Sequence, residues 1–214
     1  MEQNNQEQKE GVSTLKNEDE KKRFENFEYQ KRRLLAEGYK EENKVISVVK
    51  ANVMAFVTAG PFAILVLVLY LLIWNEANMS VEMKNVLVFM VVLFIGIFIH
   101  ELIHGITWSL FCKNGWKSIH IGMIKEYLTP YCHCKEPLTF GSYIIGGLMP
   151  FLILGIGVSA VGILVGNFTI TFIGIVNILS AGGDTTIALM LLKYRNAVII
   201  DHPKECGFVA FIKE

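Results

Sequence analysis

Four stretches of this chain, residues 51–74, 86–112, 141–165 and 168–192, are too long and too apolar for the interior of an ordinary soluble domain. A helix that crosses a bilayer needs about 20 apolar residues at 1.5 Å rise each, and every one of the four reaches that length. None reads as a cleaved signal, because the first lies behind 50 mostly polar residues and is too long for a signal core. The charges avoid these stretches. Residues 1–50 hold 22 of the 20 basic and 20 acidic side chains, and the four apolar stretches contain just Glu101 and Asp184. The expectation is an all-α membrane protein with four transmembrane helices, and the solvent that the apolar stretches require is a lipid bilayer. A net charge of zero argues against a nucleic-acid partner. Four cysteines in 214 residues are too few for a disulfide scaffold.

Lysine and arginine near the span ends orient the helices. Lys40, Lys44 and Lys50 precede the first span, while the loop 75–85 has only Lys84 and the turn at Gly166-Asn167 has no charge. Lys113, Lys117, Lys125 and Lys135 fill the loop 113–140, and Lys193, Arg195, Lys204 and Lys213 follow the last span. The alternation predicts a multi-pass protein of the cell membrane with both termini and the loop 113–140 in the cytoplasm, where thiols stay reduced. Residues 1–50 then form a polar cytoplasmic tail, 51–192 the membrane domain with its site, and 193–214 a cytoplasmic C-terminal tail. Within the first tail, residues 1–16 have a disordered composition. Asn17 with Glu18, Asp19 and Glu20 reads as a helix start. Phe24, Phe27, Leu34 and Leu35 give that helix a weak apolar stripe ending near Gly38, best read as a solvated helix. The loop 113–140 alternates short apolar segments with turn residues, which predicts a β-hairpin. Such an edge could hold an extended substrate by strand addition.

An acid near a bilayer centre costs about 2.5–3.5 kcal/mol by insertion scales, so it usually serves function. Glu101 lies in the string His100-Glu101-Leu102-Ile103-His104, the H-E-x-x-H pattern. Residues i and i+4 share a helix face, so both imidazoles can reach one metal ion. Glu101 sits near that face, where its carboxylate can reach a water at the metal. With the spans oriented as above, His104 lies about 12 Å and His100 about 18 Å from the cytoplasmic end of the second span. Asp184 lies about 12 Å from the same end of the fourth. Two imidazoles and a carboxylate are the ligand set of a catalytic zinc site; helix–helix hydrogen bonding is the plainer reading of Asp184. Asn177, two turns before Asp184, could meet a substrate carbonyl, brace the site or pack between helices. Gly146-Gly147 and Pro150 could open the third span to a peptide backbone. Gly182-Gly183 suggests a loosened helix or a close approach to a neighbouring span. His133, between Cys132 and Cys134, is the next candidate ligand, while the C-x-C spacing is a weak signal for a second metal. His120 and His202 read as surface residues, and Cys112 and Cys206 show no partner.

HELIHG in a membrane helix, a cytoplasmic loop, a Gly/Pro span and then NILSAGGD together resemble the site-2 protease architecture. More narrowly the chain resembles small bacterial multi-pass membrane proteins of a zincin-peptidase type, which HCKEPL and IIDHPKECGF also match. The likeness runs from about Gly38 to the C-terminus. It implies zinc on His100, His104 and Asp184 with Glu101 as the catalytic base, and strand structure after the HExxH helix. One departure stands out: site-2 proteases typically have Asp followed by Gly, whereas Asp184 follows Gly-Gly and precedes Thr185. The function expected is a membrane-embedded zinc metalloprotease acting on membrane or juxtamembrane peptides. The alternative is a non-catalytic metal-binding scaffold or chaperone-like protein, which would have no need of Glu101.

Overall fold

The computed structural model describes residues 18–74, 83–124 and 129–213. The expected disorder of residues 1–16, the helix start at Asn17, the loop residues 75–82 and Lys125 in the hairpin connection lie outside the described residues. Helix α1 (Glu18–Ala36) leads through Gly38, in the left-handed region at φ 86°, into strand β1 (Tyr39–Ile46). Ser47 then caps α2 (Val48–Thr58), its hydroxyl accepting from the Lys50 amide at 3.2 Å. After a kink at Ala59, α3 (Gly60–Trp74) continues the same apolar run. Helix α4 (Met83–Ser109) is followed by the antiparallel pair β2 (Ile119–Ile124) and β3 (Thr129–Cys134), and by the short β4 (Leu138–Thr139). Then come α5 (Phe140–Pro150), α6 (Val158–Val165), α7 (Phe168–Ser180), α8 (Gly182–Leu191), β5 (Val198–Asp201) and β6 (Cys206–Lys213).

Three helical runs, Val49–Trp74, Phe89–Ser109 and Phe140–Val165, are long and apolar enough to cross a membrane, and the pair α7–α8, bent by 46°, makes a fourth if counted as one span. Their surfaces carry the same message. Leu72, Phe94 and Leu164 are 74%, 63% and 80% exposed, and many large apolar neighbours also face outward. An apolar exterior this extensive needs lipid or protein against it. The third run does not open as its glycines and proline suggested. α5 passes unbroken through the buried Pro150 into a seven-residue π-helical stretch, Phe151–Gly157, which follows directly where the proline ring removes a helical donor.

The expectation of an all-α fold is corrected by a second layer. Beside the β2–β3 pair, which matches the expected hairpin in part, β1, β6, β5 and β4 form a four-stranded antiparallel sheet in that order. This sheet draws strands from before the first span, from between the second and third, and from after the last helix. Its residues alternate between two buried faces. Ile200, Val209 and Phe211 pack on Phe27 and Leu34 of α1, while Ile199, Phe208 and Ala210 pack on Trp108, Tyr143 and Leu191 at the base of the helices. Phe208 and Phe211 are fully buried. Helix α1 is therefore docked on the sheet rather than solvated on all sides.

His202, half-buried rather than fully at the surface, is a structural residue of the β5–β6 turn. Its Nδ1 accepts from the amides of Glu205 (2.9 Å) and Lys204 (3.4 Å), and the ring meets Phe27 edge-on. Burial, then nearby His133 and Lys31, lower its pKa against the opposing pull of Glu205 and Asp201. Nδ1 must stay unprotonated to accept these bonds. The unfolded chain takes up a proton at about pH 6.5, so stability is full above that value and falls as the pH drops toward the lower folded value. The fall in Tm between pH 7.5 and 5.5 should be smaller in His202→Gln than in the wild type. Equal falls would remove this role.

Candidate metal centre

The site forms where the C-terminal half of α4 meets the first turn of α8. His100 Nε2 lies 3.0 Å from Asp184 Oδ2 and 3.2 Å from His104 Nε2, and His104 Nε2 lies 3.4 Å from Asp184 Oδ1. His104 is buried, His100 nearly so, and Asp184 is partly open. Among the described residues this trio is the one group of histidines, cysteines and acids arranged to hold a metal ion.

Each ligand has a local reason to be there. Helical spacing puts His100 and His104 on one face. Asp184 is presented by the break at Ala181, where α7 ends and α8 begins. Gly182 lets this turn lie close against α2: a Cβ there would fall 2.1 Å from Ala55 Cβ. Its carbonyl accepts from Thr186 (2.7 Å) and Thr185 (3.0 Å), and Thr58 bonds both threonine hydroxyls from α2. Close approach to a neighbouring helix, one of the two readings of Gly182-Gly183, thus applies to Gly182, and the helix is also interrupted there.

His104 Nδ1 lies 2.8 Å from the Gly146 carbonyl, which can only accept, so Nδ1 carries the proton. In the neutral ring the Nε2 lone pair then faces His100 Nε2 and the Asp184 carboxylate. Lone pair against carboxylate is repulsive, and either a proton or a metal ion between them removes that repulsion. The three ligand atoms are 3.0–3.4 Å apart. Tetrahedral zinc with bonds of about 2.0–2.1 Å separates its ligands by about 3.3 Å. The donor set and its spacing fit zinc. The Gly146 carbonyl also gives His104 the outer partner that metal-binding histidines usually have. Gly146 has no room for a side chain, since a Cβ would fall 2.1 Å from Trp108, whose ring stacks on His104. Gly146 thus serves close packing here, whereas a Cβ at Gly147 would meet nothing within 4 Å.

Glu101 is partly buried beside the trio, and its carboxylate accepts from the Cys132 amide of β3. The Cys134 amide, two residues on and so on the same strand edge, donates to Asp201 Oδ2 at 3.1 Å. Two carboxylates therefore accept from amides on the part of the β3 edge nearest the site.

The remaining candidates lie elsewhere. His133 is not in the trio; its Nδ1 sits 3.0 Å from Asp201 Oδ2, and Tyr143 donates to Asp201 Oδ1 at 2.8 Å. Asn177 donates to the Ile173 carbonyl of its own helix at 2.8 Å and lies against Gly96 of α4, one turn before His100. Pro150 is buried at the end of α5. Asp201, Trp108 and Thr58 support the site without a spacing signal that could have revealed them. Only Asp201, an acid closing the apolar run VIID, stands out in retrospect.

A family model described as "putative zincin peptidase" matches residues 93–199, half of the chain. No curated protein and no solved structure matches. The ligand assignment has a direct test in the zinc content of purified variants. His100→Ala, His104→Ala and Asp184→Ala should each weaken zinc by more than the 10- to 100-fold typical of outer partners, while His133→Ala should keep about one zinc per chain. Loss in His133→Ala equal to that in Asp184→Ala would displace Asp184 as the third ligand.

Proposed function

Because this chain belongs to the putative zincin peptidase family, we propose that it is a membrane-embedded zinc metalloprotease that hydrolyses peptide bonds of membrane or juxtamembrane substrates. The observation that carries this reading is Glu101 standing beside three converging ligand atoms within a helix apolar enough to span a bilayer. His100, His104 and Asp184 would hold zinc, which would supply Lewis-acid polarisation of a carbonyl and a water that ionises near neutral pH. Glu101 accepts the proton from the attacking water and returns it to the leaving amine. The Cys132 amide orients its carboxylate. Gly146 and Trp108 fix the His104 ring, and Thr58 with Thr185 and Thr186 steadies the turn that presents Asp184.

The sheet supports a four-span topology of the cell membrane. β1 precedes the first span, β4 lies between the second and third, and β5 and β6 follow α8, yet all four share one sheet. Segments that hydrogen-bond in one sheet lie on one side of a membrane, so an even number of crossings separates each from the next. With α7–α8 counted as one bent span the number is four, and the lysine and arginine of these segments assign their side to the cytoplasm.

Glu101→Gln tests the reading, because it keeps the shape and leaves the ligands in place while removing the proton acceptor. General acid–base groups typically contribute about 10² to 10⁴ in rate. Cleavage should drop by that factor at unchanged zinc content, with membrane peptides accumulating in cells that carry the variant. Identical membrane proteomes together with no cleavage by the purified wild type would favour the scaffold.

A further inference from the structure

Cys112 and Cys134 lie away from the metal ligands, and their sulfurs are 3.4 Å apart. Cys112 follows the end of α4, the helix of His100, Glu101 and His104, and Cys134 ends β3. We propose that these two thiols are a redox-modification site that hydrogen peroxide converts to a disulfide between α4 and β3.

The two sulfurs are not equivalent. Cys112 is half-buried, while Cys134 is fully enclosed. The hydrogen bond from Cys134 lowers the pKa of the Cys112 thiol, and the same contact, then burial, raises that of Cys134. Burial likewise raises Cys132 and Cys206. A thiolate is the reactive form, so Cys112 attacks first. Its sulfur bonds one peroxide oxygen, the O–O bond breaks, and hydroxide leaves to become water, giving a sulfenic acid. Cys134 sulfur then attacks Cys112 sulfur, losing its proton as the S–O bond breaks and a second water departs. Two thiols are oxidised and one peroxide is reduced to two waters. A small-molecule thiol such as glutathione reverses the bond by exchange. In a reducing compartment a disulfide is transient, as redox sensors require. The bond tethers the strand whose Cys132 amide holds Glu101 to the helix that carries Glu101. Formation of the bond does not depend on the protein being a protease.

Peroxide treatment of the intact protein in membranes, followed by denaturation and alkylation of the remaining thiols, reads the outcome directly. Of the four cysteines, two should become unreactive in the wild type, and digestion should yield one linked pair containing Cys112 and Cys134. Cys132→Ser and Cys206→Ser should still form the link, and Cys112→Ser and Cys134→Ser should not. The order of attack makes a sharper demand: Cys134→Ser should trap a dimedone-reactive sulfenic acid on Cys112, whereas Cys112→Ser should trap none on Cys134. Peptide mapping of the wild type keeps the test decisive if a variant fails to fold. Four reactive thiols after peroxide, or a linked pair containing Cys132 or Cys206, would overturn the proposal.

Discussion

Two imidazole nitrogens and a carboxylate meet at 3.0–3.4 Å inside an apolar bundle, a geometry that a shared proton or a metal ion satisfies, and much of the surrounding structure holds that meeting in place. Water reaches it only from the side of Asp184, because His100 and His104 are largely buried. Gly146 lends a carbonyl to His104 and leaves space for Trp108, which stacks on the same ring. Gly182 lets α8 approach α2 closely enough for Thr58 to bond Thr185 and Thr186. Each device acts through backbone approach, which explains why glycines stand at these contacts.

The four-stranded sheet adds a second constraint. It gathers segments from before and after the apolar helices and packs its apolar faces on α1 and on residues of those helices. Asp201 at the end of β5 links this layer to the site. It accepts from Tyr143 on α5 and from the Cys134 amide, and it pairs with His133, so the position of β3 beside Glu101 depends on the sheet. The trio between apolar helices is thus braced by a sheet layer.

Much of the centre was legible in the chain because it breaks the rule of the solvent around it. His100, Glu101, His104 and Asp184 are ionisable groups in apolar helices, and helical spacing with matched depth is enough to bring the ligands together. The helices were legible for the same reason. The sheet was not, because VIID and CGFVAFIK are apolar on both faces and so show no period-2 alternation, while β1, YKEENKVI, reads as a charged tail. Pairing Tyr39 with Lys213 joins residues with almost the whole chain between them, and no local pattern encodes that. Gly146 was noticed for the wrong reason, since its role lies in a carbonyl and an absent side chain. The Cys112–Cys134 contact and the His133–Asp201 pair are likewise meetings of distant segments without any motif.

The central claim is the identity of the atoms around the metal. X-ray absorption at the zinc edge of the purified protein reads them without any substrate. The account predicts a first shell of nitrogen and oxygen at about 2.0–2.1 Å with outer scattering from two imidazole rings, and no sulfur. A scatterer at about 2.3 Å, the zinc–thiolate distance, would place Cys132, Cys134 or another cysteine on the metal and contradict the His100, His104 and Asp184 centre.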